Sequence, residues 1–277
     1  MSVNLRDAGV VPRTSLIAVT PAMAQLWMQR NDQNRTLSKN LVNQLTQDIL
    51  QGRWVMNGET IKFDREGRLI DGQHRLQAVI QSNTAVDMWV VDGLEPMSQM
   101  TIDIGRPRTA GSQLQIGNIP NANNVASIAA CLIRWATCPH VVWGGQNMPS
   151  KAHIVEYAMQ RAEDLNWGSL QGRQAYQASR IRVVAYATVA VAARAADLAE
   201  EWHAFHETLI VGANLSEGDP RLALRNYGVR KQTNMVGGAW AQQRDVAVVT
   251  KAFKAYCDGR DVRLLRFTRD EMPMPVL

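Results

Sequence analysis

"FDREGRLIDGQHRLQAV" occupies residues 63–79, and its reading decides the fold of the first part of the chain. A polar turn leads into a short apolar run. Gly72, Gln73, His74 and Arg75 follow, and Leu76, Val79 and Ile80 then recur at helical spacing. A strand therefore hands over to a helix through a glycine. Two readings of that junction are open. In one, Asp71 caps the helix, Gly72 makes a sharp turn, and His74 and Arg75 face solvent. In the other, Gly72 lets a ligand approach without a Cβ in the way, and the first-turn N–H groups and helix dipole receive an anion. Arg75 then adds a planar fork of donors, His74 donates or acts as an acid or base, and Gln73 orients a base or a water. Asp71 would hold magnesium or act as a base.

Upstream, "TLSKNLVNQLTQDILQGRW" (36–54) predicts a helix that Ser38 caps and Gly52 closes, with Leu41, Val42, Leu45 and Ile49 on one face. "RWVM" (53–56), "ETIKF" (59–63) and "RLI" (68–70) read as short strands joined by turns, and "VDMWVV" (86–91) as another. "MTIDIGRPRTAGSQL" (100–114) reads as a strand end, a loop and a new helix. Residues 1–35 carry no clear pattern. After about residue 120 strand signals nearly vanish. Helical spacing runs through 123–136, 151–167, 181–208, 219–230 and 239–257, and "VVWGGQNMPS" (141–150) connects two helices. The fold class expected is α+β: a first domain at 1–118 and a helical domain at 119–277.

With 277 residues, 46% of them hydrophobic, the chain can bury one large core or two modest ones. Its net charge of +5 is unevenly spread: residues 221–277 hold eleven Lys/Arg against five Asp/Glu. A basic end of that kind suits a polyanion such as DNA, and equally a solvated face. Arg221 and Arg225 share a helical face, and Arg260, Arg263, Arg266 and Arg269 recur every three residues. Such a strip can follow a phosphate backbone. Cys131, Cys138 and Cys257 are too irregularly spaced for a disulfide framework or a thiolate metal site, which favours a reducing cytoplasm. Cys138, Pro139 and His140 read as a connection rather than a metal site. The start of the chain does not read as a signal peptide. The apolar stretch 181–205 is alanine-rich and interrupted by Arg194, so it reads as a protein helix and not a membrane span. Trp54, Trp89, Trp135 and Trp240 are expected in cores or clefts.

"RLIDGQHRLQAV" (68–79) resembles the Asp-Gly-x-His-Arg form of the phosphate-binding motif in the ParB/sulfiredoxin-like superfamily. The similarity is strongest over residues 35–115, and the whole chain resembles ParB-like proteins of phages and prophages. The resemblance implies a small α+β nucleotide-binding fold. The superfamily's members include CTP-hydrolysing DNA clamps, ATP-using sulfinic acid reductases, free-serine kinases and nucleases. Gly72, Gln73, His74 and Arg75 match the phosphate loop. Gln73 stands where sulfiredoxins carry their reactive cysteine, which disfavours sulfinic acid reduction. His74 stands where partitioning proteins carry an arginine, which is closer to the kinase-like members.

Further candidates surround this loop. Asp103 would hold a cation and Arg106 a phosphate, or both would form a solvated loop; Glu59 is a second acidic candidate. Arg35 and Lys39 lie near the start of the first clear helix. The functional expectation is a nucleotide-dependent phosphotransferase or NTPase. It would use ATP or CTP with Mg2+, with His74, Asp71 and Glu59 as catalytic groups. The alternatives are a nucleotide-switched DNA-binding regulator and a metal-dependent nuclease. DNA is the expected partner, with a homo-oligomer allowed and no membrane.

Overall fold

The computed structural model describes residues 11–32, 34, 36–102, 108–232 and 238–277. Arg35, Asp103 and Arg106 lie outside the described residues. The chain divides into two compact units, Met1–Pro107 and Arg108–Leu277. The first is mixed β/α and the second is largely helical among the described residues. The division falls before residue 118 because the short helix Ala110–Ile116 packs on the helix that follows it in the second unit.

Among the described residues the first unit opens on a strand and a helix that the sequence did not announce, β1 (Arg13–Val19) and α1 (Pro21–Met28). Thr20 caps α1 by accepting from Met23 N, and Pro21 occupies its first turn. Next come α2 (Lys39–Leu50), β2 (Thr60–Asp64), β3 (Leu69–Asp71), α3 (Gln73–Ser82) and β4 (Val86–Leu94). Ser38 caps α2 as expected, accepting from Leu41 N at 3.4 Å. The sheet order is β1-β4-β2-β3. β1 pairs antiparallel with β4, β2 antiparallel with β3, and β2 parallel with β4. Val19, Ala24, Ile49, Ile61, Leu76, Val79 and Met88 form its core, so α1, α2, α3 and the sheet share one apolar layer.

Two expectations fail here. "RWVM" is not a strand: the N–H groups of Arg53 and Trp54 both donate to Asp48 O, and the Arg53 side chain pairs with Asp48. Those bonds fold the segment back on the end of α2, leaving Val55 71% exposed. The expected strand end at 100–102 is instead the close of a 3-10 turn, Pro96–Thr101.

The second unit contains α4 (Ala110–Ile116), α5 (Ala122–Thr137), α6 (Lys151–Gln160), α7 (Ala162–Ser179), α8 (Val183–Ala195), α9 (Ala199–Val211), α10 (Pro220–Gln232) and α11 (Ala239–Cys257). Two stretches read as continuous are broken. Residues 151–167 divide at Arg161 between α6 and α7, and 181–208 divide at Asp197, whose φ is +59°, between α8 and α9. α8 is the buried axis: Ala185, Tyr186, Ala187, Val189 and Ala190 are fully covered. Trp202 packs on Tyr186, and Phe253 packs on both Trp202 and Phe205, with ring centroids 4.9–5.4 Å apart. No helix among the described residues is long and apolar enough to cross a membrane. Trp135 is buried with its indole N–H on Pro275 O, whereas Trp54, Trp89 and Trp240 are only partly covered.

Buried polar groups in this core are paired in ways that make a pH prediction. His206 is 2% exposed, with Nδ1 3.0 Å from the Tyr186 hydroxyl and Nε2 3.0 Å from Gln174 Oε1. Burial pushes its pKa down to about 4. The imidazole is therefore neutral in the folded chain, while an unfolded one takes a proton near pH ~6.5. Stability is full above that value and falls as pH drops toward about 4. Between pH 7.5 and 5 this group alone should remove about 2 kcal/mol. Urea titrations at the two pH values, with His206→Gln as comparison, check it. An equal acid loss in both proteins would assign the effect elsewhere.

Candidate functional site

Gly72 is the N-cap of α3 and adopts φ +101° and ψ 5°. This corrects the reading of Asp71 as the cap. The glycine sits there because its backbone crosses β2: a Cβ on Gly72 would lie 2.5 Å from Ile61 Cδ1 and 3.2 Å from Ile61 Cα. The bend turns the first turn of α3 toward a cavity of about 230 Å³. Asn34, Asp71, Gly72, Gln73, His74 and Gln99 are among its lining residues. The positive end of the α3 dipole thus faces a polar cavity.

The side chains of the junction are already held. His74 is buried, and its Nε2 accepts from Ser38 N at 3.0 Å. That bond ties α3 to the start of α2 and gives Nε2 the role of acceptor. His74 does not face solvent, contrary to the plain-turn reading, and the Arg75 side chain is only 15% exposed; Gln73 is buried beside them. Gln73 Oε1 accepts from Asn31 Nδ2 at 3.0 Å, Asn34 Nδ2 donates to Asn31 Oδ1 at 2.6 Å, and Gln99 Nε2 donates to Asn34 Oδ1 at 3.0 Å. Four amides therefore run in a chain from the first turn of α3 to the 3-10 turn after β4. Sequence reasoning missed Asn31, Asn34 and Gln99; the only local trace is the amide-rich "NDQN" at 31–34.

Arg75 does not line the cavity. Its guanidinium donates to Glu59 Oε2 at 2.8 Å, to Thr60 O at 2.8 Å and to Asp71 Oδ2 at 3.3 Å. Lys62 also pairs with Asp71. The structure thus gathers Glu59, Lys62, Asp71 and Arg75 into one charge-balanced cluster, with Glu59 at its exposed end. Asp71 meets two cations on one oxygen, Oδ2. The described residues contain no group of three or more His, Cys, Asp or Glu able to hold a metal. Lys39 begins α2 on its exposed side.

The C-terminal arginines separate into two sets. Arg221 forms two bonds to the Asp219 carboxylate and lies 4.8 Å from the centre of the Tyr256 ring. Arg225 donates to Leu209 O at 2.6 Å, satisfying a carbonyl at the end of α9. Both are partly covered and held by groups of their own fold. Arg260, Arg263, Arg266 and Arg269 are exposed. Arg260–Arg266 is not helical; Leu265 and Phe267 are buried beneath it, which anchors the segment. Arg260 pairs with Asp258, Arg263 with Glu217 at 3.5 Å, and Arg269 lies over Trp240.

No protein-family model matches the chain, and no curated protein is significantly similar to it. A solved structure described as "Structure of the C2221 form of Pnob8-like ParB-N domain" is distantly similar: 12% identical, covering 80% of this chain and 96% of that one, with a TM-score of 0.23. A superposition that loose carries no structural argument.

Proposed function

We propose that the chain is a regulatory protein whose first unit binds the phosphates of a nucleotide at Gly72–His74, with DNA as the partner of its basic C-terminal segment. The observation that carries this reading is the glycine-capped start of α3 opening on a polar cavity. The resemblance of Gly72–Arg75 to the ParB/sulfiredoxin-like phosphate loop supports it. At about 230 Å³ the cavity is smaller than the ~300–1,000 Å³ usual for ligand pockets, so it suits phosphate groups rather than an enclosed base. Binding is favoured over phosphoryl transfer because the candidate acid–base groups are engaged. His74 Nε2 accepts a backbone N–H, and Asp71 is neutralised by Lys62 and Arg75. The amide chain supplies the switch: a phosphate that rearranges Gln73 also rearranges Gln99.

Calorimetric titration of the whole chain with CTP, ATP, GTP and inorganic triphosphate, with and without Mg2+, tests it. At least one nucleotide should bind, and triphosphate should compete. Gln99→Glu places a carboxylate in the cavity lining and should weaken binding at least tenfold, about 1.4 kcal/mol. Absence of nucleotide binding, or undiminished binding by Gln99→Glu, overturns the assignment. Turnover that His74→Ala abolishes while sparing affinity would restore the phosphotransferase reading.

A further inference from the structure

The second unit holds a larger cavity of about 410 Å³ between α11 and the C-terminal segment. Its size falls within the ~300–1,000 Å³ range of small-ligand pockets, which leaves room for one nucleotide-sized group. Four cations line it, Lys251 and Lys254 from α11 and Arg260 and Arg266 from the segment, together with the Glu271 carboxylate. Lys251 is already paired with Glu271 and bonded to Arg266 O. Arg260 is paired with Asp258. Lys254 has only the Val276 carbonyl at 3.4 Å, and neither it nor Arg266 forms an ion pair among the described residues. Two uncompensated cations thus face the same concavity. Between them the wall is apolar, made by Val262, Leu264 and Leu265, with Leu264 59% exposed.

A rim of cations over an apolar wall fits a phosphate that carries an apolar flat body. Outside the cavity, Arg263 and Arg269 continue the exposed positive charge along the same segment, with Arg263 80% exposed. A ligand with several phosphates in a row would use both. Duplex DNA keeps its bases stacked and paired, so no base enters a pocket without unpairing; a single strand has no such cost. We infer that this cavity takes one nucleotide of a single-stranded nucleic acid, with neighbouring phosphates on the flanking arginines. The inference rests on the nucleic-acid part of the proposed function and names its strand state.

Fluorescence anisotropy of the whole chain with a labelled 15-nucleotide single-stranded DNA, and with the same sequence as a duplex, tests it. The single strand should bind at least tenfold tighter. Lys254→Glu with Arg266→Glu should weaken it at least tenfold and flatten its log–log salt dependence by about 1.4, for two lost phosphate contacts. Both side chains are exposed, and thermal melts verify that the variant is folded. Leu264→Asp should weaken single-strand binding while leaving duplex binding unchanged. Equal affinity for the two DNA forms, or equal losses of both in the variants, overturns the strand-state inference while leaving the nucleic-acid reading in place. A mononucleotide that binds as tightly as the 15-mer overturns it in favour of a small-molecule site. Binding to neither DNA removes the nucleic-acid reading along with it.

Discussion

Gly72→Ala is expected to destabilise the first unit by roughly 2–5 kcal/mol and to abolish phosphate binding there. Two costs add. Holding an L-residue at φ +101° costs about 1–2 kcal/mol by the left-handed penalty. The new methyl must also fit 2.5 Å from Ile61 Cδ1 and 3.2 Å from Ile61 Cα. Overpacking of that kind costs about 1–3 kcal/mol. The isoleucine end could swing away in open space, but Ile61 is 0% exposed and its backbone belongs to the central part of the sheet. Relief must therefore come from moving β2 against α3, which distorts the cavity at Gly72. Hydrogen exchange read by mass spectrometry separates this from a general effect. Protection should fall over residues 60–82 and persist over 183–211 and 239–257. Gly144→Ala is the control, since its φ is −149° with nothing within 4 Å of a new Cβ, and it should stay within about 0.5 kcal/mol of wild type. A Gly72→Ala protein as stable as that control would mean the junction does not have this geometry.

That junction was legible because its determinants are local. The turn, the apolar run and the glycine lie within a few residues of one another, and they predict a strand-to-helix handover wherever the rest of the chain goes. The partners that define the cavity are not local. Ser38 lies 36 residues from His74, Asn31 lies 42 from Gln73, and Gln99 lies 65 from Asn34. No periodicity links such positions, so Arg75 reads as a ligand group until its bonds to Glu59, Thr60 and Asp71 are seen. The helical half shows the complementary limit. Apolar spacing runs straight through Arg161 and Asp197, because neither breakpoint carries glycine or proline. β1 escaped notice for a third reason: it is an edge strand, exposed along most of its length, so its sequence need not alternate. Spacing also does not reveal which cations are already engaged: Arg221 is, by Asp219, and Arg225 by a carbonyl at the end of α9.

In the second unit the largest loss should come from Gly228→Ala. By helix propensity alone this change in α10 would be favourable by about 1 kcal/mol. Packing reverses the sign. A Cβ at Gly228 would lie 1.7 Å from Ser179 O and 2.9 Å from Ser179 C. These are backbone atoms, so no rotamer change clears them. The backbone there is also pinned: Ser179 Oγ donates to Ala175 O at 2.7 Å, and Arg180 N donates to Tyr176 O at 2.9 Å. Arg180 itself sits at φ +58° to end α7. Neither the end of α7 nor α10 can yield alone, and separating them opens a core in which Leu224 is 0% exposed. The net loss should be on the order of 3–4 kcal/mol, near the upper end for a single substitution. Asn226→Ala, one exposed position on the same helix, isolates the propensity term and should be neutral or slightly stabilising. Denaturant titrations of the two variants, with hydrogen exchange to localise the loss to α7 and α10, decide the matter. If Gly228→Ala is as stable as Asn226→Ala, the close approach of α10 to Ser179 is not a feature of the folded chain.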